Sequence, residues 1–388
     1  MSTNLQSQIG ALDLKSPERT GNLVDLILAA AVRFSASDIH FEPTHASLEI
    51  RYRLDGVLHR VAVLNRDQAA NVVARLKVMA ELLTYRQDVP QEGRLSQGQK
   101  QFGVDMRVST FPTIHGEKAA VRVFGAGASI LDLEQIGLPT ALFDDLRKLF
   151  LQRTGAILLT GPSGSGKTTT LYACLRHLLS ECKGGRHIVT IEDPVEQVLE
   201  GISQSQARPG TEFDFARGLR SLLRQDPEII MVGEVRDPDT AHIAIEAALT
   251  GHLVLSTLHA GSACGVISRL LEMGIETYLL TSGLKGILNQ RLLRRLCPIC
   301  RRSTTDGWEA AGCGQCLDTG YQGRMLLAEL VLMDEPLRQA VLARADTHAL
   351  ERCAAESGRP TIWAAAEQAL AEGWTTRHEI TRVLGIKE

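Results

Sequence analysis

The sequence predicts an α/β protein. A mostly parallel sheet around a glycine-rich loop is preceded by a smaller α+β domain and followed by a cysteine-rich module and a helical extension. At 388 residues the chain exceeds what one hydrophobic core organises, so two or more domains are expected. The apolar runs AILLT, HIVTI, EIIMV and HLVLSTL alternate with helical segments, the pattern of a parallel sheet covered on both faces. Ahead of them, LEIRYRL alternates apolar and polar residues up to Asp55-Gly56, a hairpin signal.

Residues 1–21 read as a polar, aperiodic, frayed leader. LVDLILAAAVRF, after Asn22, is helical with apolar residues on more than one face, and Ser35–Ser37 ends it. Strands follow at Leu48–Leu54 and Val57–Val63, then helical spacing over Gln68–Tyr85. Phe102–Ser109 and Ala119–Phe124 alternate again about the turn at Pro112–Gly116. Residues 22–125 therefore read as an N-terminal α+β domain with a mainly antiparallel sheet. The run Gly125-Ala126-Gly127-Ala128-Ser129 places a linker at 126–130. The strand–loop–helix rhythm occupies 131–290, the cysteine module 291–325, and Ala-rich helical segments fill 326–388. Those segments are Glu335–Leu342, His348–Ser357, Thr361–Glu372 and Thr376–Leu384.

Composition narrows the classes. Apolar residues make up 44% and charged residues 22%, which excludes a largely disordered or fibrous chain. Lys and Arg number 42 against 45 Asp and Glu, so there is no global cationic field to gather nucleic acid. The longest apolar stretch, Leu23–Val32, contains Asp25 and falls far short of the roughly 20 residues needed to span a bilayer. The opening MSTNLQSQIG carries no signal-peptide pattern, and a cytosolic location is expected. Of eight cysteines, Cys174, Cys182, Cys264 and Cys353 stand alone and read as buried small apolar residues.

Gly161-Pro162-Ser163-Gly164-Ser165-Gly166-Lys167-Thr168 fits G-x-x-x-x-G-K-[ST], after the strand Ala156–Thr160 and before a helix. The glycines let backbone N–H groups turn inward on phosphate oxygens, and the helix start adds its dipole. Lys167 can reach β- and γ-phosphates, and the Thr168 hydroxyl can ligate Mg²⁺; a plain Gly/Ser turn is the bland alternative. Glu234 follows the strand Ile229–Val232, at the carboxyl edge where open α/β sheets bind ligands, placed to polarise water or hold a metal's water shell. Glu192, Asp193 and Glu196 form a second acidic cluster after Ile188–Ile191. Solvated loop carboxylates are the alternative for each of these acids. His252 and His259 stand near the ends of a third strand.

In this order the motifs resemble the secretion ATPases that power type II secretion and type IV pilus assembly. SDIHFEP, RYRLDGVL and DMRVSTFPTIHGEK look like that family's N-terminal signatures, with GPSGSGKT its phosphate loop. IEDPVE looks like its aspartate box, LRQDPEIIMVGEVRD its Walker B segment and TGHLVLSTLHA its histidine box. The resemblance implies a RecA-like core, a PAS-like preceding domain, and a homo-hexameric ring that binds ATP between them. It also implies that Glu234 is the catalytic glutamate, that His259 contacts the γ-phosphate, and that Asp193 and Glu196 lie near metal and water. Thr169 completes the phosphate loop. Arg51, Arg94 and Arg107 match the positions of the family's phosphate-reaching arginines, a role a guanidinium suits. Inner-membrane platform proteins are the implied partners, with peripheral attachment to that membrane. The family's additional N-terminal docking domain is not expected, since the signature begins near residue 35.

Cys297-Pro-Ile-Cys300 and Cys313-Gly-Gln-Cys316 have the spacing of a closed tetrahedral Zn²⁺ site, with a redox dithiol as the alternative. The resemblance supports such a tetracysteine module, with a shorter intervening loop. Around it stand Arg291, Arg294, Arg295, Arg301 and Arg302. A solvated helix face, a surface for acidic phospholipid or an acidic partner, and a nucleic-acid ribbon are the readings. The last is least supported, because no aromatic residue lies in that stretch. The leading function is a motor ATPase of type II secretion. Its rivals are a type IV or competence pilus motor, a nucleotide-binding scaffold that does not turn over, and a DNA translocase.

Overall fold

The computed structural model describes residues 5–10, 12, 19–95, 101–124, 132–182, 185–208, 210–305 and 307–386. The linker expected at 126–130 lies outside them. The chain divides into two units, Met1–Ser129 with Arg294–Arg324, and Ile130–Leu293 with Met325–Glu388. The cysteine module thus groups with the N-terminal unit and the C-terminal helices with the core.

The first unit opens with α1 (Leu5–Gly10) and α2 (Arg19–Arg33). Next come β1 (Asp38–Pro43), β2 (Ser47–Leu54), β3 (Val57–Asn65), α3 (Ala69–Met79), β4 (Gln91–Arg94), β5 (Asp105–Thr113) and β6 (Gly116–Phe124). Its strands form an antiparallel sheet in the order β3-β2-β1-β6-β5-β4. Strict alternation decides which face is covered. β2 buries Leu48, Ile50, Tyr52 and Leu54, which pack with Leu23, Ile27 and Leu28 of α2 and Val72 and Leu76 of α3. The Tyr52 hydroxyl, buried there, donates to the Ile27 carbonyl at 2.6 Å.

Two expectations change here. The leader is not wholly frayed: Leu5 is buried in this core, and Gln6 accepts from Val63 N and donates to Val63 O. A polar, aperiodic stretch hid this anchor, beside which Ile9 and Leu12 also pack. The helix expected over Gln68–Tyr85 stops at Met79, where Glu81 turns left-handed. Gly93 of β4 sits against that turn, so closely that a Cβ there would stand 2.6 Å from the Ala80 carbonyl oxygen.

The second unit begins with α4 (Thr140–Phe150), β7 (Gly155–Thr160), α5 (Lys167–Cys182), β8 (Ile188–Glu192), β9 (Ser203–Gln206), α6 (Phe215–Leu222) and β10 (Ile229–Val232). It continues with α7 (Pro238–Leu249), β11 (Leu253–Leu258), α8 (Ala263–Glu272), α9 (Thr277–Gly283) and β12 (Leu284–Leu296). The short pair β13 (Arg301–Thr304) and β14 (Gly307–Ala310) belongs to the cysteine module, and β15 (Tyr321–Leu332) follows. Four helices end the chain: α10 (Glu335–Leu342), α11 (Thr347–Glu356), α12 (Ile362–Ala371) and α13 (Arg377–Leu384). The sheet order is β15-β12-β7-β11-β10-β8-β9, parallel from β12 to β9. Side chains of β7 alternate between two cores. Ala156 and Leu158 pack with α7 and α8, Ile157 and Leu159 with α4 and α5. Both faces are covered, as the continuous apolar runs predict.

The arginine run does not form a helix face. Arg291, Arg294 and Arg295 lie on β12 and Arg301 and Arg302 on β13. Arg294 is buried over the Tyr321 ring, 4.0 Å from its centroid, and Arg301 stands 5.0 Å over Trp308. Membership of β12, a strand flanked by β15 and β7, overrides the helical appearance of QRLLRRL. Of the four single cysteines, Cys174 and Cys264 are buried, whereas Cys182 and Cys353 are half-buried. Among the described residues no helix is long and apolar enough to cross a membrane.

A buried ion pair ties α3 to β6: Lys77 Nζ lies 2.6 Å from Glu117 Oε1 and donates to the Arg86 carbonyl at 2.7 Å. Lys77→Met leaves the Glu117 carboxylate buried without its cation, and should cost about 3–5 kcal/mol in urea unfolding of the full chain. A loss under about 1 kcal/mol would show that the pair is not holding these elements.

Candidate functional site

β7 is buried along its whole length and delivers the chain to the glycine-rich loop, and α5 leaves that loop at Lys167. Gly161, Gly164 and Gly166 all take positive φ. At Gly161 the need for glycine is steric as well: a Cβ would lie 2.4 Å from the Gln290 carbonyl oxygen and 2.6 Å from Ser165 Oγ. Lys167 Nζ donates to the carbonyls of Gly161 (2.8 Å) and Pro162 (3.1 Å), so the loop curls around its ammonium. Burial pushes the Lys167 pKa down; the Glu234 carboxylate opposes that shift and Arg291 adds to it.

Two polar atoms here are buried with no hydrogen-bond partner among the described residues, Ser165 Oγ and Gln290 Oε1. The Gln290 amide meanwhile donates through Nε2 to Ser165 O at 2.8 Å. Orphaned groups of this kind cost about 1–3 kcal/mol each, and a polar ligand in the loop relieves such a cost. Pro162, Ser163, Gly164, Thr168 and Thr169 are exposed around the loop. The donor set suits a nucleotide's phosphates, and the exposed Thr168 hydroxyl at the head of α5 suits their Mg²⁺.

The acids separate into two kinds. Glu234, past the end of β10, is half-buried; Oε1 lies 3.2 Å from His259 Nε2 and Oε2 accepts from Arg236 Nε at 2.9 Å. The two motif residues, from different strands, therefore meet. Asp193 and Glu196 are exposed on the loop after β8. The acid held fast at that edge is Glu192, which lies in the acidic cluster but is given no role of its own by the motifs. It is buried, with Oε2 accepting from Tyr172 OH in a short hydrogen bond and Oε1 accepting from Thr190 Oγ1 (2.6 Å) and Gln204 Nε2 (3.1 Å). Burial, followed by the Glu192 contact, raises the Tyr172 pKa. Tyr172 OH in turn accepts from the backbone N–H groups of Glu196 and Gln197, so Glu192 shapes the loop bearing Asp193 and Glu196. His252, at the start of β11, uses Nδ1 on the Ala247 carbonyl 3.0 Å away.

The other predicted arginines lie in the first unit. Arg51 contacts Glu49 (2.6 Å) and Glu42 (3.4 Å), and Arg94 contacts Asp105 (2.6 Å). Arg107 is exposed, its guanidinium 5.2 Å over the Phe124 ring. Register places Arg94, Arg107 and Arg122 side by side across β4, β5 and β6. Like charges directly opposite are unfavourable, so this row would gain from an anion. Arg122 carried no motif and was missed; only strand pairing brings it into the row.

The four module cysteines converge, their Sγ atoms all within 4.8 Å of one another. Cys297–Cys313, Cys300–Cys316 and Cys313–Cys316 stand at 3.9, 3.8 and 3.7 Å. Four thiolates about 2.3 Å from a tetrahedral centre stand about 3.8 Å apart, so the set fits Zn²⁺. Cys316 Sγ accepts from the N–H groups of Cys313 and Gly320, both at 3.2 Å. Hydrogen bonding from the backbone draws the Cys313 pKa down to about 7, whereas burial pushes Cys300 up to about 12.

Comparison with known proteins adds a family to this geometry. The model of the family described as "Type II/IV secretion system protein" matches residues 14–382. The "Type II secretion system ATPase E" of Vibrio cholerae is 42% identical over 378 residues, covering 93% of this chain and 74% of that protein. "Type II secretion system protein HxcR" of Pseudomonas aeruginosa is 42% identical over 372 residues, covering 96% of this chain and 79% of that protein. Among solved structures, the pilus retraction motor PilT with bound ADP aligns at TM-score 0.59 and 26% identity, over 92% of this chain and 96% of that one. With its phosphate loop, facing Glu234 and His259, and family match over nearly the whole length, this chain belongs to the type II/IV secretion system protein family.

Proposed function

We propose that the chain is a motor ATPase of type II secretion, hydrolysing ATP to drive assembly of a pilus-like filament at the inner membrane. One observation carries most of this: a phosphate loop curled around Lys167, in the same unit as the contact between Glu234 and His259. The relative that shares 42% identity and is named an ATPase of type II secretion supports the choice of machine.

In this proposal the N–H groups of Gly161–Thr169 cradle the phosphates, and Lys167 leaves its two carbonyls to meet the β- and γ-oxygens. Mg²⁺, held through Thr168, would neutralise phosphate charge. Glu234 orients and deprotonates the attacking water, and His259, bonded to it, faces the γ-phosphate. Asp193 and Glu196 line the approach for water and metal. Arg107, with Arg51 and Arg94, supplies positive charge to the phosphoryl group in a homo-hexamer. Inner-membrane platform proteins are the proposed partners, and acidic phospholipid suits the cationic flank of a zinc module held by Cys297, Cys300, Cys313 and Cys316.

Lys167→Ala should reduce ATP turnover by at least about 10²-fold, measured as phosphate release. Glu234→Gln should retain ATP while slowing hydrolysis by about 10²–10⁴-fold; normal hydrolysis would transfer the role to the acids near Asp193. Purified protein should carry one Zn²⁺ per chain by elemental analysis, and Cys300→Ser should lose it, whereas metal-free wild type would return the cysteines to the dithiol reading. Deleting the gene should abolish exoprotein release and leave surface pili intact. Lost pili with normal release would instead identify a pilus extension motor.

A further inference from the structure

We propose that Arg291 is a positioning residue for ATP hydrolysis, holding the loop that carries His259, and that helix α11 shares this task through Glu351. The inference rests on the ATPase reading above.

The loop from His259 to Ser262 joins β11 to α8 and is tied at successive residues to three other elements. Ala260 N donates to Thr160 Oγ1 at 3.1 Å, fixing it to the end of β7. Gly261 O accepts from Arg291 Nη2 at 2.6 Å, fixing it to β12. Ser262 Oγ donates to Glu351 Oε1 at 2.6 Å while accepting from Gly265 N to cap α8. The loop's position therefore depends on three residues distant in sequence, none of which belongs to a nucleotide motif.

Arg291 is the shared node. Its Nη1 donates to Asn289 Oδ1 (2.7 Å) and to Gln290 O (3.0 Å), the carbonyl oxygen that approaches Gly161 so closely. One planar guanidinium thus spans the strand pressed on the phosphate loop and the loop behind His259. Asn289 extends the connection: its Nδ2 donates to Glu329 Oε1 (2.8 Å), and Glu329 Oε2 accepts from Ile362 N at the head of α12 (2.8 Å). His259 meets Glu234 at 3.2 Å, so a shift of about an ångström at Gly261 would break that contact. The C-terminal helices, which carry no catalytic motif, thereby set the geometry of the hydrolytic pair without touching nucleotide.

The test is steady-state ATP turnover by the full chain, paired with the affinity for a fluorescent ADP analogue and the urea unfolding midpoint. Arg291→Ala and Glu351→Ala should each lower kcat about tenfold or more, with KM and analogue affinity within about twofold of wild type. Glu351→Gln should restore kcat, because its amide oxygen can still accept from Ser262. A folded Arg291→Ala or Glu351→Ala with wild-type kcat overturns the proposal, as does a loss that appears in nucleotide affinity instead of kcat. If Arg291→Ala does not fold, the two Glu351 variants decide alone; Glu351 is a half-exposed helix residue, and its truncation is expected to leave the fold intact. Lys167→Ala run alongside separates the failures. Inactive Lys167→Ala with normal Arg291 and Glu351 variants removes only this inference, whereas active Lys167→Ala removes the ATPase reading and this inference with it.

Discussion

The phosphate-loop end of the second unit depends on the approach of the Gln290 carbonyl to Gly161, where a Cβ would stand 2.4 Å from that oxygen. It follows from the parallel pairing of β12 with β7, which runs from Ala156 to Thr160 and leaves Gln290 and Arg291 just past its end, level with the start of the phosphate loop. The Gln290 side chain then reaches Ser165 O, and the Arg291 side chain reaches the loop after β11. A β12 displaced by one residue would exchange the faces of Gln290 and Arg291 and undo both contacts. The local shape of the phosphate loop is therefore set as much by a strand about 130 residues away as by its own glycines.

Much of this was legible in the sequence, for a physical reason. Strands covered on both faces must be continuously apolar, and AILLT, EIIMV and HLVLSTL announce themselves. The phosphate loop is equally legible, because its chemistry is confined to eight consecutive residues. What stayed hidden depends on partners far along the chain. β4, only four residues long and exposed at every second position, has no pattern of its own and exists because β5 pairs with it. Arg291, Arg294 and Arg295 read as a helix face because the tract is rich in helix formers, yet the strand beside it decides. Tyr172 and Gln290 belong to no motif, Glu192 lies in one that gives it no role, and Arg291 stands only in the arginine run; their importance appears only once folding brings their partners within hydrogen-bond reach.

The cysteine module shows the same division between local and distant information. Two CxxC pairs predict their ligand set from spacing alone, and the sulfurs converge as tetrahedral geometry requires. Spacing says nothing about which unit the module joins. It groups with the N-terminal unit because its surroundings reach there: Gly323 N donates to Asp55 Oδ2 at 2.8 Å, and Leu317 packs against the core that contains Tyr52.

The two glutamates at the sheet edge show how burial divides labour between chemically identical groups. Glu192 is enclosed, and Tyr172, Thr190 and Gln204 occupy its oxygens. A carboxylate so satisfied is well suited to holding a loop. Glu234 keeps partial access to solvent, and its partners are a histidine and an arginine that are themselves exposed. Those contacts are exchangeable when charge arrives, because exposed ion pairs are worth at most about 1 kcal/mol. Of the two, Glu234 is the carboxylate that could turn to an incoming water without unmaking the core, which is the physical argument for assigning it the hydrolytic role.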